Sequence, residues 1–109
     1  MTTLYIAGPM TGLPDHNYPA FFAAEDRLLA AGYEVANPAR IDEWHTLFPK
    51  SKRTWEWYMR HALRLLVGAD AVALLPGWID STGARLETRV AEHLAMRMRS
   101  VDEWLRVAP

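Results

Sequence analysis

The chain contains no cysteine. Disulfide scaffolds, thiolate zinc sites and cysteine nucleophiles are therefore excluded. It also lacks a charge excess: twelve Lys and Arg stand against thirteen Asp and Glu, a formal net charge of −1. Neutralising a nucleic-acid backbone takes a surplus of basic residues, so no nucleic-acid polymer is expected as partner. No apolar run approaches the ~20 residues that a membrane span needs. Met1-Thr2-Thr3-Leu4 has none of the basic character that opens a secretory signal. A cytoplasmic protein without a membrane partner is expected. His16, His45, His61 and His93 lack metal-ligand spacing with acidic partners, so no metal or cofactor is expected.

Aromatic residues are plentiful, with five Trp, four Tyr and three Phe among 109 residues. A chain of that length reads as one domain, residues 1–109, since domains most often hold ~100–150 residues. The aromatic rings must fill its core, line a pocket or cover a partner.

Leu4-Tyr5-Ile6-Ala7 is short, apolar and β-prone, and it stops at Gly8-Pro9. Thr11 to Pro19 reads as loop. From Ala20, helical spacing of Phe21, Phe22, Ala24, Leu28 and Leu29 runs to the stop at Gly32. Tyr33 to Ala36 is a second strand. One helical turn is expected around Ile41–His45. Trp55, Tyr58, Met59, Ala62, Leu63 and Leu66 mark an amphipathic helix from Thr54 to Val67. Ala71 to Leu75 is a continuous apolar run, as in central strands buried on both faces. A helix from Thr82 to Ala95 follows, capped by Asp80 or Ser81. Met96–Arg99 reads as a weak fourth strand and Val101–Arg106 as a last helix. This alternation predicts a small three-layer α/β domain, Rossmann-like, with a parallel sheet of about four strands. Its ligand site belongs at the carboxyl ends of the strands.

Two such strand ends carry unusual residues. Gly8-Pro9-Met10-Thr11-Gly12 is either a tight turn or a place where a ligand meets backbone closely. It is not a dinucleotide fingerprint. Ser81, Thr82 and Gly83 open a helix, whose free N–H groups cap the chain or hold an anion. Glu87 shares a helix face with Ala84, Ala91, Leu94 and Ala95. A carboxylate in an apolar stripe is costly unless paired or used. It is either salt-bridged to Arg60, Arg64 or Arg89, or it is a nucleophile or general base. Trp78, in the loop before this helix, is placed to stack on a planar base. Asp70 reads as a turn residue. Phe21, Phe22, Trp55 and Tyr58 read as core or interface. The Trp55, Trp57, Tyr58 triplet spans two helix faces, so part of it is core and part is a pocket wall or a subunit interface.

Five segments together resemble one family. They are Tyr5-Ile6-Ala7-Gly8-Pro9-Met10, Asn17-Tyr18-Pro19-Ala20-Phe21-Phe22, Gly32-Tyr33-Glu34-Val35-Ala36-Asn37-Pro38, Ala69 through Trp78, and Ser81-Thr82-Gly83-Ala84-Arg85-Leu86-Glu87. In this order they resemble the nucleoside 2-deoxyribosyltransferase-like superfamily, and within it the DUF4406 branch of small, often phage-encoded proteins. The resemblance implies cleavage or transfer of an N-glycosidic bond on a 2′-deoxynucleoside or its 5′-monophosphate. It assigns Glu87 as the nucleophile that attacks C1′, and Ser81 and Gly83 as the seat of the 5′-phosphate. Tyr5, Gly8, Pro9, Met10, Asn17 and Trp78 would contact base or sugar. It implies a homo-oligomer whose second copy completes the pocket. The superfamily also places an aspartate on the helix before the third strand. The matching position here is Ala62, with His61 beside it. His61 or Asp80 would then supply the missing proton transfer, with Asp70 and Asp15 as further candidates. Otherwise the protein binds nucleotides without turning them over.

Overall fold

The computed structural model describes residues 1–109. One parallel sheet of four strands forms the middle layer. Its strands are β1 (Thr3–Ala7), β2 (Glu34–Ala36), β3 (Ala71–Leu74) and β4 (Arg97–Ser100), in the order β2-β1-β3-β4. The helices are α1 (Tyr18–Ala30), α2 (Ile41–Trp44), α3 (Trp55–Gly68), α4 (Thr82–His93) and α5 (Val101–Arg106). The fold is a small Rossmann-like α/β domain. No helix is long and apolar enough to cross a membrane.

Strand alternation divides the core in two. Leu4 and Ile6 of β1, with Ala71 and Ala73 of β3, face Phe21, Ala24 and Leu28 of α1 and Val101 and Trp104 of α5. Tyr5, Ala7 and Val72 face the other way, toward Ile41, Ala62, Leu66 and Ala91. Trp104 closes the first layer. Its indole N–H donates to the Val72 carbonyl at 2.8 Å, and its own carbonyl accepts from the Tyr33 hydroxyl at 2.7 Å. Tyr33 thus serves as core, and the second strand starts one residue after it.

Local chemistry sets the helix ends. Thr54 caps α3 by accepting from the Trp57 N–H, and Ser81 caps α4 by accepting from the Ala84 N–H. Ser100 and Glu103 form a reciprocal capping box on α5. Pro19 lies in the first turn of α1, as its fixed φ suits, and the helix starts at Tyr18. α4 ends at His93, short of the expected Ala95. Ala95 sits at φ 56°, where the chain reverses into β4, and Leu94 and Ala95 are exposed. The apolar stripe of this helix is Ala84, Glu87, Thr88 and Ala91.

The carboxyl end of β1 runs into Gly8, which is buried. A Cβ at Gly8 would lie 2.7 Å from the Leu75 Cβ and 2.9 Å from its Cδ1. The first of these atoms sits on the backbone of the neighbouring strand end and cannot swing away. Gly8→Ala is therefore expected to cost ~1–3 kcal/mol of stability, measured by chemical denaturation.

Candidate active site

A cavity of about 290 Å³ opens beyond the carboxyl end of β1. Ser81, Gly83, Ala84 and Glu87 of the α4 segment form one wall. Trp55, Tyr58, Met59 and Ala62 of α3 form another, and Gly8, Met10, His16, Tyr18 and Phe21 complete the lining with Arg53. The two helices approach closely: a Cβ on Gly83 would meet the Met59 sulfur at 3.4 Å and the Trp55 indole nitrogen at 3.9 Å. Small residues make this space, since Ala62 and Ala84 of its lining project no more than a methyl group.

Glu87 is 6% exposed. None of Arg60, Arg64 or Arg89 pairs with it. Its partner is Tyr5, whose hydroxyl donates to Oε2. Tyr5 is fully buried on the α3–α4 face of β1, so it supports the carboxylate from beneath the cavity instead of lining it. Burial raises the Glu87 pKa to about 7, against a usual 4.5, and the Tyr5 hydrogen bond works in the opposite direction. Burial, and then the Glu87 charge, keep the Tyr5 phenol protonated well above its ordinary range. Glu87 thus sits at the pH where a carboxyl group exchanges a proton readily.

Ser81 spends a lone pair on capping α4, which leaves its hydroxyl proton free to donate into the cavity. The first N–H groups of α4 lie beside it without partners in the helix. This wall can hold an anion a short way from Glu87.

The opposite wall rests on a residue that sequence reasoning missed. Asp42 accepts from the Tyr58 hydroxyl at 2.7 Å, from the Tyr18 hydroxyl at 3.3 Å and from Arg53 at 2.6 Å. The Arg53 side chain is only 2% exposed and also donates to the carbonyls of His45 and Phe48. Burial would raise the Asp42 pKa, but the hydrogen bonds from Tyr58 and Arg53 outweigh it and hold it below the usual range. Both phenols titrate above their ordinary value, through burial and the Asp42 charge. No spacing rule links Asp42 to these partners. The one legible signal was the shared face of Trp55, Tyr58, Met59 and Ala62, whose aromatic residues the sequence left open between core, pocket wall and subunit interface and which lines the cavity.

The other sequence candidates divide. Gly8, Met10, Ser81, Gly83 and Glu87 line one cavity. Pro9 and Asn17 do not line it, and the Asn17 amide donates to the Pro9 carbonyl at 3.0 Å. Trp78 is not in the cavity: it follows the turn at Gly77 and lies half-buried over a separate groove with Leu75, Ile79 and Val101. Asp80 is exposed and lines neither wall. His61 lies on the outer side of α3, 4.1 Å from the His45 ring and 4.4 Å from Trp57. Trp57 stacks on Phe48 within the same cluster and so is covered by this chain itself. Asp70 accepts from the Thr3 N–H at 2.8 Å, at the end of β1 opposite the cavity.

Fold and site together define a small parallel α/β domain with a buried carboxylate in an aromatic-walled cavity at its strand ends. The chain belongs to the family described as Domain of unknown function (DUF4406), whose profile matches residues 2–100. A comparison with curated proteins finds no match.

Two predictions follow from this geometry. Glu87 binds its proton more tightly in the folded state, so folding stability falls as pH rises from 4.5 to about 7. The loss is on the order of 3 kcal/mol. Glu87→Gln can still accept from Tyr5 and does not titrate. Its stability advantage over the wild type should grow between pH 5 and pH 8 in thermal unfolding. Asp42→Ala leaves the buried Arg53 cation unpaired and should destabilise by about 3 kcal/mol in chemical denaturation.

Proposed function

We propose that this protein cleaves or transfers the N-glycosidic bond of a 2′-deoxynucleoside or its 5′-monophosphate, with Glu87 as nucleophile. The observation that carries this reading is the buried Glu87 carboxyl, set in a cavity wall beside the N-terminus of α4 with Ser81 and Gly83. The resemblance to nucleoside 2-deoxyribosyltransferase-like proteins supports it, because the same three residues match that superfamily's working motif.

The chemistry follows from the parts. The Tyr5 hydroxyl occupies Oε2, which leaves Oε1 to attack C1′. The C1′–N bond breaks, the electron pair leaves with the base, and a glycosyl ester forms on Glu87. Water or a second base then takes the sugar and returns the electron pair to the carboxylate. A 2′-deoxyribose assists, since no 2′-hydroxyl opposes the positive charge that develops at C1′. Ser81 and the free N–H groups of α4 hold the 5′-phosphate. With Trp78 outside the cavity, Trp55, Tyr58 and Tyr18 are the rings that cover base and sugar. Trp55 is 43% exposed, and a second copy of the chain would close the cavity there. Substrates of this kind belong to the cytoplasm.

One observation favours a second reading, a module that binds nucleotides without turnover. Ala62 lines the cavity where the superfamily carries an aspartate, and a methyl group transfers no proton.

The deciding experiment incubates the protein with each deoxynucleoside 5′-monophosphate and follows free base by chromatography. Base release is expected, falling by at least about a thousandfold in Glu87→Gln. Equal release by wild type and variant, or none by either, overturns the glycosidic reading. Tight binding in calorimetry without release supports the binding module.

A further inference from the structure

The leaving base needs a proton, and the cavity lining restricts where it comes from. Five lining side chains can titrate: His16, Tyr18, Arg53, Tyr58 and Glu87. Arg53 is permanently charged and committed to Asp42 and two carbonyls. Tyr18 and Tyr58 hold their protons tightly and donate them to Asp42. Asp42 is held ionised by its donors. Glu87 is occupied as the nucleophile. The imidazole of His16 is the remaining lining side chain that can both carry and release a proton.

The chain holds His16 in an unusual way. Asp15, His16 and Asn17 stand in succession at φ 52°, 53° and 60°. Left-handed backbone costs an L-residue ~1–2 kcal/mol, and three in a row without glycine is uncommon. Bonds on either side hold the turn: the His16 N–H donates to the Leu13 carbonyl at 3.0 Å, and the Asn17 side chain ties back to Pro9. The His16 ring rests 5.7 Å from the Tyr18 ring, exposed at the cavity, with neither ring nitrogen bonded within the protein. A ring so placed can meet both a bound ligand and the water that reloads it.

We propose that His16 is the acid that protonates the departing base and then the base that activates the water. This inference rests on the glycosidic reading above. In the first step Glu87 Oε1 bonds to C1′, the C1′–N bond breaks, and the imidazolium passes its proton to a ring nitrogen of the base. In the second, water attacks C1′, its proton goes to the neutral imidazole, and the ester bond returns its electron pair to Glu87. The products are free base and 2-deoxyribose 5-phosphate, and both side chains are restored.

The experiment compares a substrate that needs the proton with one that does not. Deoxyguanosine 5′-monophosphate is the first. Its 7-methyl derivative is the second, because its base already carries a positive charge and leaves unaided. His16→Asn is the variant, since asparagine tolerates left-handed backbone and carries no exchangeable acid. Base release is followed in a single turnover, ahead of the water step, and in the variant it should slow at least about 100-fold on the unmethylated substrate. On the methylated one it should stay within about threefold of wild type, which also shows that the variant is folded. Equal losses on both substrates, or no loss on either, overturn the role of His16 while the glycosidic reading stands. Failure of the wild type to cleave either substrate overturns both.

Discussion

The hydrogen bond from Tyr5 to Glu87 ties the centre of the sheet to the helix that carries the site. A carboxyl group at this depth must be neutral, partnered or used. Here one oxygen is held by a phenol from the central strand and the other is left to the cavity. The surroundings follow from that arrangement. Tyr5 must point to the α3–α4 face, so Leu4 and Ile6 must point to the α1–α5 face, and the two-sided core is set by strand alternation. Ala62, Ala84 and Ala91 must be small, because a larger side chain would fill the space around the carboxyl group.

A second polar centre organises the far wall. Asp42 collects two phenols and a guanidinium, and each of these comes from a different stretch of chain. The phenol protons are committed to a carboxylate, so the rings are fixed in direction and serve as rigid wall. The cavity therefore has one side with a buried carboxyl group of raised pKa, Glu87, beside the start of α4, and one rigid aromatic side tied to Asp42. His16 lines the same cavity from a turn of left-handed backbone. The burial that suits Glu87 to chemistry also works against stability above neutral pH, where the buried group must carry its charge.

Much of the architecture was legible because it depends on local patterns. Ala71-Val72-Ala73-Leu74 is apolar at every position, which only a strand covered on both faces tolerates. Val101–Arg106 was expected as a last helix, and the structure shows it opened by the Ser100–Glu103 capping box. The stripe through Ala84, Glu87 and Ala91 marked the carboxylate. Where the reading went wrong, a contact distant in the chain decided the outcome. Trp78 has the composition of a stacking residue, yet the left-handed turn at Gly77 carries it to the other side of the β3 end. His61 is beside the expected aspartate position in sequence, but adjacent helix positions point about 100° apart. Ala62 therefore meets the cavity and His61 meets His45 and Trp57.

The amino-acid sequence by itself determined the element order, the parallel sheet, a cap at Asp80 or Ser81, and the presence of a carboxylate on an apolar face. Periodicity and capping act over a few residues, so they can be read without coordinates. Only the tertiary structure decided what that carboxylate touches, which aromatic rings are wall and which are core, and which titratable groups share its cavity. Tyr5 and Glu87 are 82 positions apart, and Asp42 lies 16 from Tyr58 and 24 from Tyr18. Contacts of that range follow from how the helices pack on the twisted sheet, which no local pattern encodes.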